Sequence, residues 1–159
     1  MYTIRELKPT EYPLLSDFLY EAIFQPDETN LADKSIIERP ELQVYIKDFG
    51  KEKDDYCFCA EVDSKIVGAV WVRNIKGYGN VDDRTPEFAI SLYRDYRGQG
   101  IGTELMKKML EHLSKRGYKK ASLAVQKENY AVNMYRSLGF LVVDENTEEY
   151  IMVYEFKEI

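Results

Sequence analysis

Tyr96-Arg97-Gly98-Gln99-Gly100-Ile101-Gly102-Thr103 is the stretch on which the reading of this chain turns. It leaves an alternating run, Glu87–Tyr93, and enters a helical pattern from about Gly102 to Arg116. A helix that begins this way presents unpaired N–H groups and the positive end of its dipole, which together favour an anion. Gly98, Gly100 and Gly102 allow left-handed backbone and remove the Cβ atoms that would hold a phosphate off the main chain. Arg97 adds a fixed positive charge at the same mouth. The segment therefore predicts a pyrophosphate cradle. Two rival phosphate loops are tested by the same residues. A Walker loop requires Lys-Ser/Thr after its last glycine, where this chain has Thr103-Glu104. A dinucleotide fingerprint spaces its glycines G-x-G-x-x-G, and here the pattern is G-x-G-x-G.

Downstream, Ile101, Leu105, Met109 and Leu113 stack at four-residue steps, and Lys115-Arg116-Gly117 gives the helix a cationic last turn and a glycine stop. A strand over Lys120–Val125 follows, then a helix over Asn129–Leu138 closed by Gly139, then strands at Phe140–Val143 and Glu149–Phe156. Upstream, Tyr56–Val62 and Ile66–Val72 flank Asp63-Ser64-Lys65 as a hairpin, and Asn74 to Pro86 reads as a long loop. Nearer the N-terminus come a strand at Tyr2–Leu7, a helix carrying Leu14, Leu15, Phe18, Leu19, Ala22 and Ile23, and a second helix over roughly Arg39 to Phe49. The order predicts one mixed α/β domain spanning residues 1–159.

Composition narrows the function. The chain has 159 residues, 45% hydrophobic and 31% charged, an ordinary globular balance. Its net charge of −6 and lack of basic tracts argue against nucleic acid, which selects for lysine and arginine. Ile66–Val72, the longest apolar run, is too short to cross a bilayer, and Met1-Tyr2-Thr3-Ile4-Arg5-Glu6 lacks the features of a secretory signal, so a soluble cytoplasmic protein is expected. Cys57 and Cys59 fall on one face of a strand and read as buried thiols. His112 is the only histidine, which argues against Ser-His-Asp and Cys-His catalysis and leaves a metal site short of ligands; its charged helix suggests a solvated ring.

Arg97-Gly98-Gln99-Gly100-Ile101-Gly102 resembles motif A of the GNAT superfamily of acyl-CoA N-acyltransferases, whose core pattern is Q/R-x-x-G-x-G/A. About thirty residues on, Asn129 through Phe140 resembles the family's motif B, N…A…Y-x-x-x-G-F. The order of elements is similar over nearly the whole chain. The resemblance implies an acyl-CoA N-acyltransferase fold: a single mixed, mostly antiparallel sheet flanked by helices and splayed between the strands at Glu87–Tyr93 and Lys120–Val125. It also implies acetyl-CoA as cosubstrate, with no metal. Pantetheine would pair with backbone groups of Ile90, Ser91 and Leu92, and Arg97, Gly98, Gln99, Gly100, Ile101, Gly102 and Thr103 would hold the pyrophosphate.

Aminolysis of a thioester needs a neutral amine, donors for an oxyanion, and an acid for a thiolate of intrinsic pKa about 8.5. By resemblance Tyr135 is that acid, with a core tyrosine as the alternative. Asn129 is either a cofactor contact or a helix cap. Glu87, ten residues before Arg97, stands where relatives carry a base; its alternative is an exposed strand-edge carboxylate. The branch that acetylates protein N-termini often has a glutamate where this chain reads Leu123-Ala124-Val125, which makes that branch a poorer fit. Tyr78 and Asp82, in the long loop, are candidates to face a cationic acceptor. The expected partner is a small-molecule or peptide amine, with neither nucleic acid nor membrane. A homodimer, a longer acyl donor and a catalytically silent acyl-CoA sensor stay open.

Overall fold

A computed structural model describes residues 1–157. Seven strands form one sheet in the order β1-β2-β3-β4-β5-β7-β6, where β1 is Thr3–Glu6, β2 Tyr56–Val62, β3 Lys65–Arg73, β4 Glu87–Leu92, β5 Lys120–Gln126, β6 Leu141–Glu145 and β7 Glu149–Glu155. Every neighbouring pair is antiparallel except β4 and β5. The sheet is therefore mixed and mostly antiparallel, as expected. The helices are α1 (Leu15–Ala22), α2 (Pro40–Gln43), α3 (Ile101–Lys115) and α4 (Ala131–Leu138).

Two apolar layers cover the two faces. On one, α3 buries Leu105, Met106, Met109, Leu110 and Leu113 against Phe58, Val70, Val72 and Phe88, and α4 adds Val132 and Tyr135. On the other, α1 buries Leu15, Phe18 and Leu19 with Tyr45, Phe49 and Trp71. Full burial of side chains of this size contributes about 1.5–3 kcal/mol each. The β2–β3 hairpin turns on Asp63 and Ser64 at φ 48° and 66°, the paired left-handed conformation that matches strand twist. No helix among the described residues is long and apolar enough to cross a membrane.

The second predicted helix is cut short. α2 makes a single turn, and Val44 to Gly50 continues as successive turns. Its carbonyls are diverted to side chains: Arg73 Nη1 donates to Val44 O at 3.1 Å and Lys47 O at 2.7 Å, and Trp71 Nε1 donates to Tyr45 O at 3.0 Å. Arg73 is itself held by Asp55, its Nε 3.0 Å from Oδ1, both side chains being nearly sealed from solvent. These side chains on β3 thus fix where Tyr45 stands. His112 also departs from expectation. Its ring packs edge-on to Tyr56 and Phe58, centroids 4.5 and 5.3 Å away, rather than standing in solvent.

Candidate active site

β4 and β5 are joined by one bridge, Glu87 to Ser122, where Ser122 N–H donates to Pro86 O at 3.0 Å. Beyond it the two strands share no further ladder, so the remaining backbone of β4 is uncovered on that side. Which groups face the gap follows from strand parity. Tyr93 N–H donates to Val67 O on β3, whereas Pro86 O is turned to β5 and Leu92 O accepts from Arg97 Nε at 3.0 Å. Even-numbered residues therefore direct their backbone groups at the gap, and odd-numbered ones at β3. Ile90 directs its backbone groups at the gap. Ser91 does not: its backbone faces β3, and its hydroxyl donates to Phe18 O at 2.6 Å, tying α1 to the sheet. At Leu92 the N–H faces the gap, but the carbonyl already serves Arg97.

The glycine turn keeps its donors free. Among the described residues, the N–H groups of Gly98, Gln99, Gly100, Ile101, Gly102 and Thr103 have no acceptor; the first amide to find one is Glu104, on Gly100 O at 3.2 Å. Gly98 and Gly100 have φ of 74° and 86°, and a Cβ built at either meets nothing within 4 Å. This is a nest of backbone dipoles at the start of a helix, open on its outer side and fit for a phosphate group. The Ile101 side chain is buried in the core, so only its amide is available. Gln99 Nε2 donates to Asp95 O at 3.1 Å. Arg97 is the exception to the expected cradle. Its guanidinium turns back to Leu92 O, to Glu21 O at 3.3 Å and to the Glu21 carboxylate at 3.6 Å, so its charge is shared with an acid.

Glu87 is the largest departure from a bland surface residue. It is 2% exposed rather than lying at a solvated strand edge. Oε2 accepts from the Tyr45 hydroxyl and from Gly79 N–H at 3.0 Å, while Oε1 is buried without a partner. Burial pushes its pKa up to about 7, against the opposing pull of the Tyr45 and Gly79 hydrogen bonds. Gly77 and Gly79 permit this approach. A Cβ on Gly79 would lie 2.7 Å from Ala124 N and Leu123 C on β5, and one on Gly77 would lie 2.7 Å from Glu87 Oε1. Ser122, beside Glu87 across the strand pair, is also fully buried, and its Oγ has no partner among the described residues.

Tyr135 projects from α4 into the apolar layer of α3, 5.8 Å from the Phe140 ring. Its hydroxyl has no hydrogen-bond partner among the described residues, and burial raises its pKa, so it stays a neutral phenol. Asn129 Oδ1 accepts from Ala131 N–H at 2.9 Å, in the turn that leads into α4. Tyr78 is half exposed and gives its N–H to the Tyr45 hydroxyl at 2.9 Å. Asp82 accepts from Arg84 N–H at 2.9 Å, which with its other local hydrogen bonds holds its pKa down, and it remains exposed. Neither Tyr45 nor Ser122 belongs to a sequence motif that points to a site. Among the described residues no group of three or more His, Cys, Asp or Glu is placed to hold a metal.

The sequence profile of the Acetyltransferase (GNAT) family matches residues 17–140. An uncharacterized N-acetyltransferase of Methanocaldococcus jannaschii is 36% identical over 102 residues, covering 60% of this chain and 43% of that protein. A probable N-acetyltransferase, camello, of Xenopus laevis is 34% identical over 89 residues, covering 55% and 39%. The chain thus spans less than half the length of these curated relatives. Among solved structures, the PaiA N-acetyltransferase of Thermoplasma acidophilum in complex with coenzyme A aligns with a TM-score of 0.71 at 19% identity over 98% of this chain and 99% of that one. A putative acetyltransferase from Salmonella typhimurium with acetyl-CoA aligns at 0.68 and 14% identity over 100% and 96%. With the family profile running across most of its length, this chain belongs to the GNAT acetyltransferase family.

Proposed function

We propose that residues 1–159 work as one cytoplasmic domain that transfers the acetyl group of acetyl-CoA to the amine of a small molecule or peptide, in a ternary complex. The observation that carries this reading is a juxtaposition on one six-residue strand. β4 begins at a buried carboxyl of pKa about 7 and ends at a nest of free amides, with uncovered backbone of Ile90 between them. The amides of Gly98 to Thr103 would hold the pyrophosphate, and Ile90 with Leu92 N–H would pair with pantetheine as an added strand.

In the transfer, the amine nitrogen bonds to the thioester carbonyl carbon and the carbon–sulfur bond breaks. The proton lost by the amine goes to Glu87 Oε1, directly or through one water. The departing sulfur takes the phenolic proton of Tyr135, and both groups then re-equilibrate with solvent. Because Glu87 lacks a full opposing charge and is largely desolvated by burial, it is basic enough near neutral pH to accept a proton. Tyr135, desolvated and without a partner, holds its proton until a stronger base forms beside it.

The test is a panel of amines, from alkylamines and polyamines to peptides with free N-termini or lysines, screened for thiol release from acetyl-CoA. An amine-dependent rate with a product in which one N–H hydrogen is replaced by an acetyl group supports the reading. Binding of coenzyme A with no turnover on any amine favours a silent acyl-CoA sensor instead.

A further inference from the structure

We propose that Tyr45 is a positioning residue of this site: its hydroxyl engages Oε2 of Glu87, leaves Oε1 as the proton-accepting oxygen, and locks the 77–79 loop to the same point. The proposal rests on the acetyl-transfer reading above and adds a residue from outside both sequence motifs.

Three observations support it. First, Tyr45 is rigidly mounted. Its ring is 8% exposed, its own carbonyl accepts from Trp71 Nε1, and the carbonyls of Val44 and Lys47 on either side accept from Arg73. Second, the direction of its proton is determined. The hydroxyl oxygen accepts from Tyr78 N–H at 2.9 Å, so its single proton is left to be donated to Glu87. Third, Gly79 N–H donates to the same carboxylate oxygen at 3.0 Å. Two donors converging on Oε2 favour negative charge there and disfavour a proton there. The titrating proton is thereby directed to Oε1, the buried oxygen with no partner.

The other charged groups around the carboxyl do not compete for this role. Glu149, at the start of β7, acts on Glu87 by repulsion alone, and Arg73, its cross-strand neighbour on β3, is committed to Asp55. A phenol that donates to a carboxylate favours the charged form, so its removal must raise the carboxyl pKa.

Tyr45→Phe keeps the ring and removes only the hydroxyl. The Glu87 carboxyl is followed by side-chain carbon NMR, its signal assigned by its loss in Glu87→Gln, and kcat/KM is measured against pH with acetyl-CoA and the fastest amine of the panel. In Tyr45→Phe the Glu87 titration and the acid limb of kcat/KM should rise together by about one to two pH units, the effect of one charge-assisted hydrogen bond. Near pH 7 kcat/KM should fall about five- to fifty-fold while the Kd for acetyl-CoA stays within about twofold. If Glu87→Gln abolishes the acid limb but Tyr45→Phe leaves it unmoved, Tyr45 only packs and the proposal fails alone. If Glu87→Gln retains the limb, the base assignment fails and takes Tyr45 with it.

Discussion

The amide of Gly79 donates to Oε2 of Glu87 at 3.0 Å, while the same glycine lies so close to β5 that a Cβ would come within 2.7 Å of the backbone at Leu123 and Ala124. The loop is thereby stitched over the carboxyl and shields it from bulk solvent. The consequence is a pH-dependent stability. The folded carboxyl titrates at about 7 against an ordinary 4.5, so the native state holds its proton more tightly than the unfolded chain. The stability this proton provides is complete below pH about 4.5 and is lost as pH rises through about 7, a change of order 3 kcal/mol. Glu87→Gln cannot ionise. Urea melts should show it gaining on the wild type by roughly 2–3 kcal/mol between pH 4.5 and 8. A constant difference across that range would mean that Glu87 titrates as an ordinary carboxyl.

Gly100 sits at φ 86° with open space where a Cβ would be. Gly100→Ala therefore clashes with nothing in the protein, and its intrinsic cost is the left-handed backbone, about 1–2 kcal/mol. The added methyl group is instead expected to obstruct a phosphate approaching the adjoining amides of Gln99 and Ile101. Calorimetry should find coenzyme A affinity reduced at least about tenfold, or 1.4 kcal/mol, in a protein that still melts cooperatively. Affinity within twofold of wild type would place the phosphates elsewhere.

Tyr135→Phe separates chemistry from packing because the hydroxyl it removes bonds to nothing. The hydroxyl makes no hydrogen bond among the described residues, so its removal should leave the melting temperature nearly unchanged. Its kcat should fall by roughly 10²–10⁴-fold with acetyl-CoA affinity nearly kept, the loss of a general acid. A turnover change below about threefold would leave Tyr135 a core residue.

What the sequence made legible was local. The stripe Leu105, Met109 and Leu113, the alternation of Tyr56–Val62 and the glycine spacing before α3 each encode one element within a few residues, and each element formed. The errors concern long-range choices of partner. Arg39 to Phe49 has a helical pattern, but its carbonyls are taken by Arg73 and Trp71, over twenty positions away, so only one turn closes. Ser91 lies on the right strand, yet which of its neighbours faces the gap depends on pairing with β3, which alternation of side chains does not report. Arg97 in the motif reads as free charge, yet Leu92 O and Glu21 claim it. Tyr45 falls inside that helical pattern, and nothing near it in the chain foretells its partner Glu87.

Glu87, buried at the point where β4 and β5 part, is proposed to accept the proton of the attacking amine. The most direct measurement is kcat/KM against pH for wild type and Glu87→Gln, with acetyl-CoA and the fastest amine of the panel. The wild type should lose activity as pH falls through about 7, where the carboxyl becomes protonated. Glu87→Gln should lack that limb, be most impaired below pH about 7.5, and recover towards wild type near pH 9 as free amine becomes abundant. Superimposable profiles across that range would contradict the account and leave Glu87 a structural carboxyl.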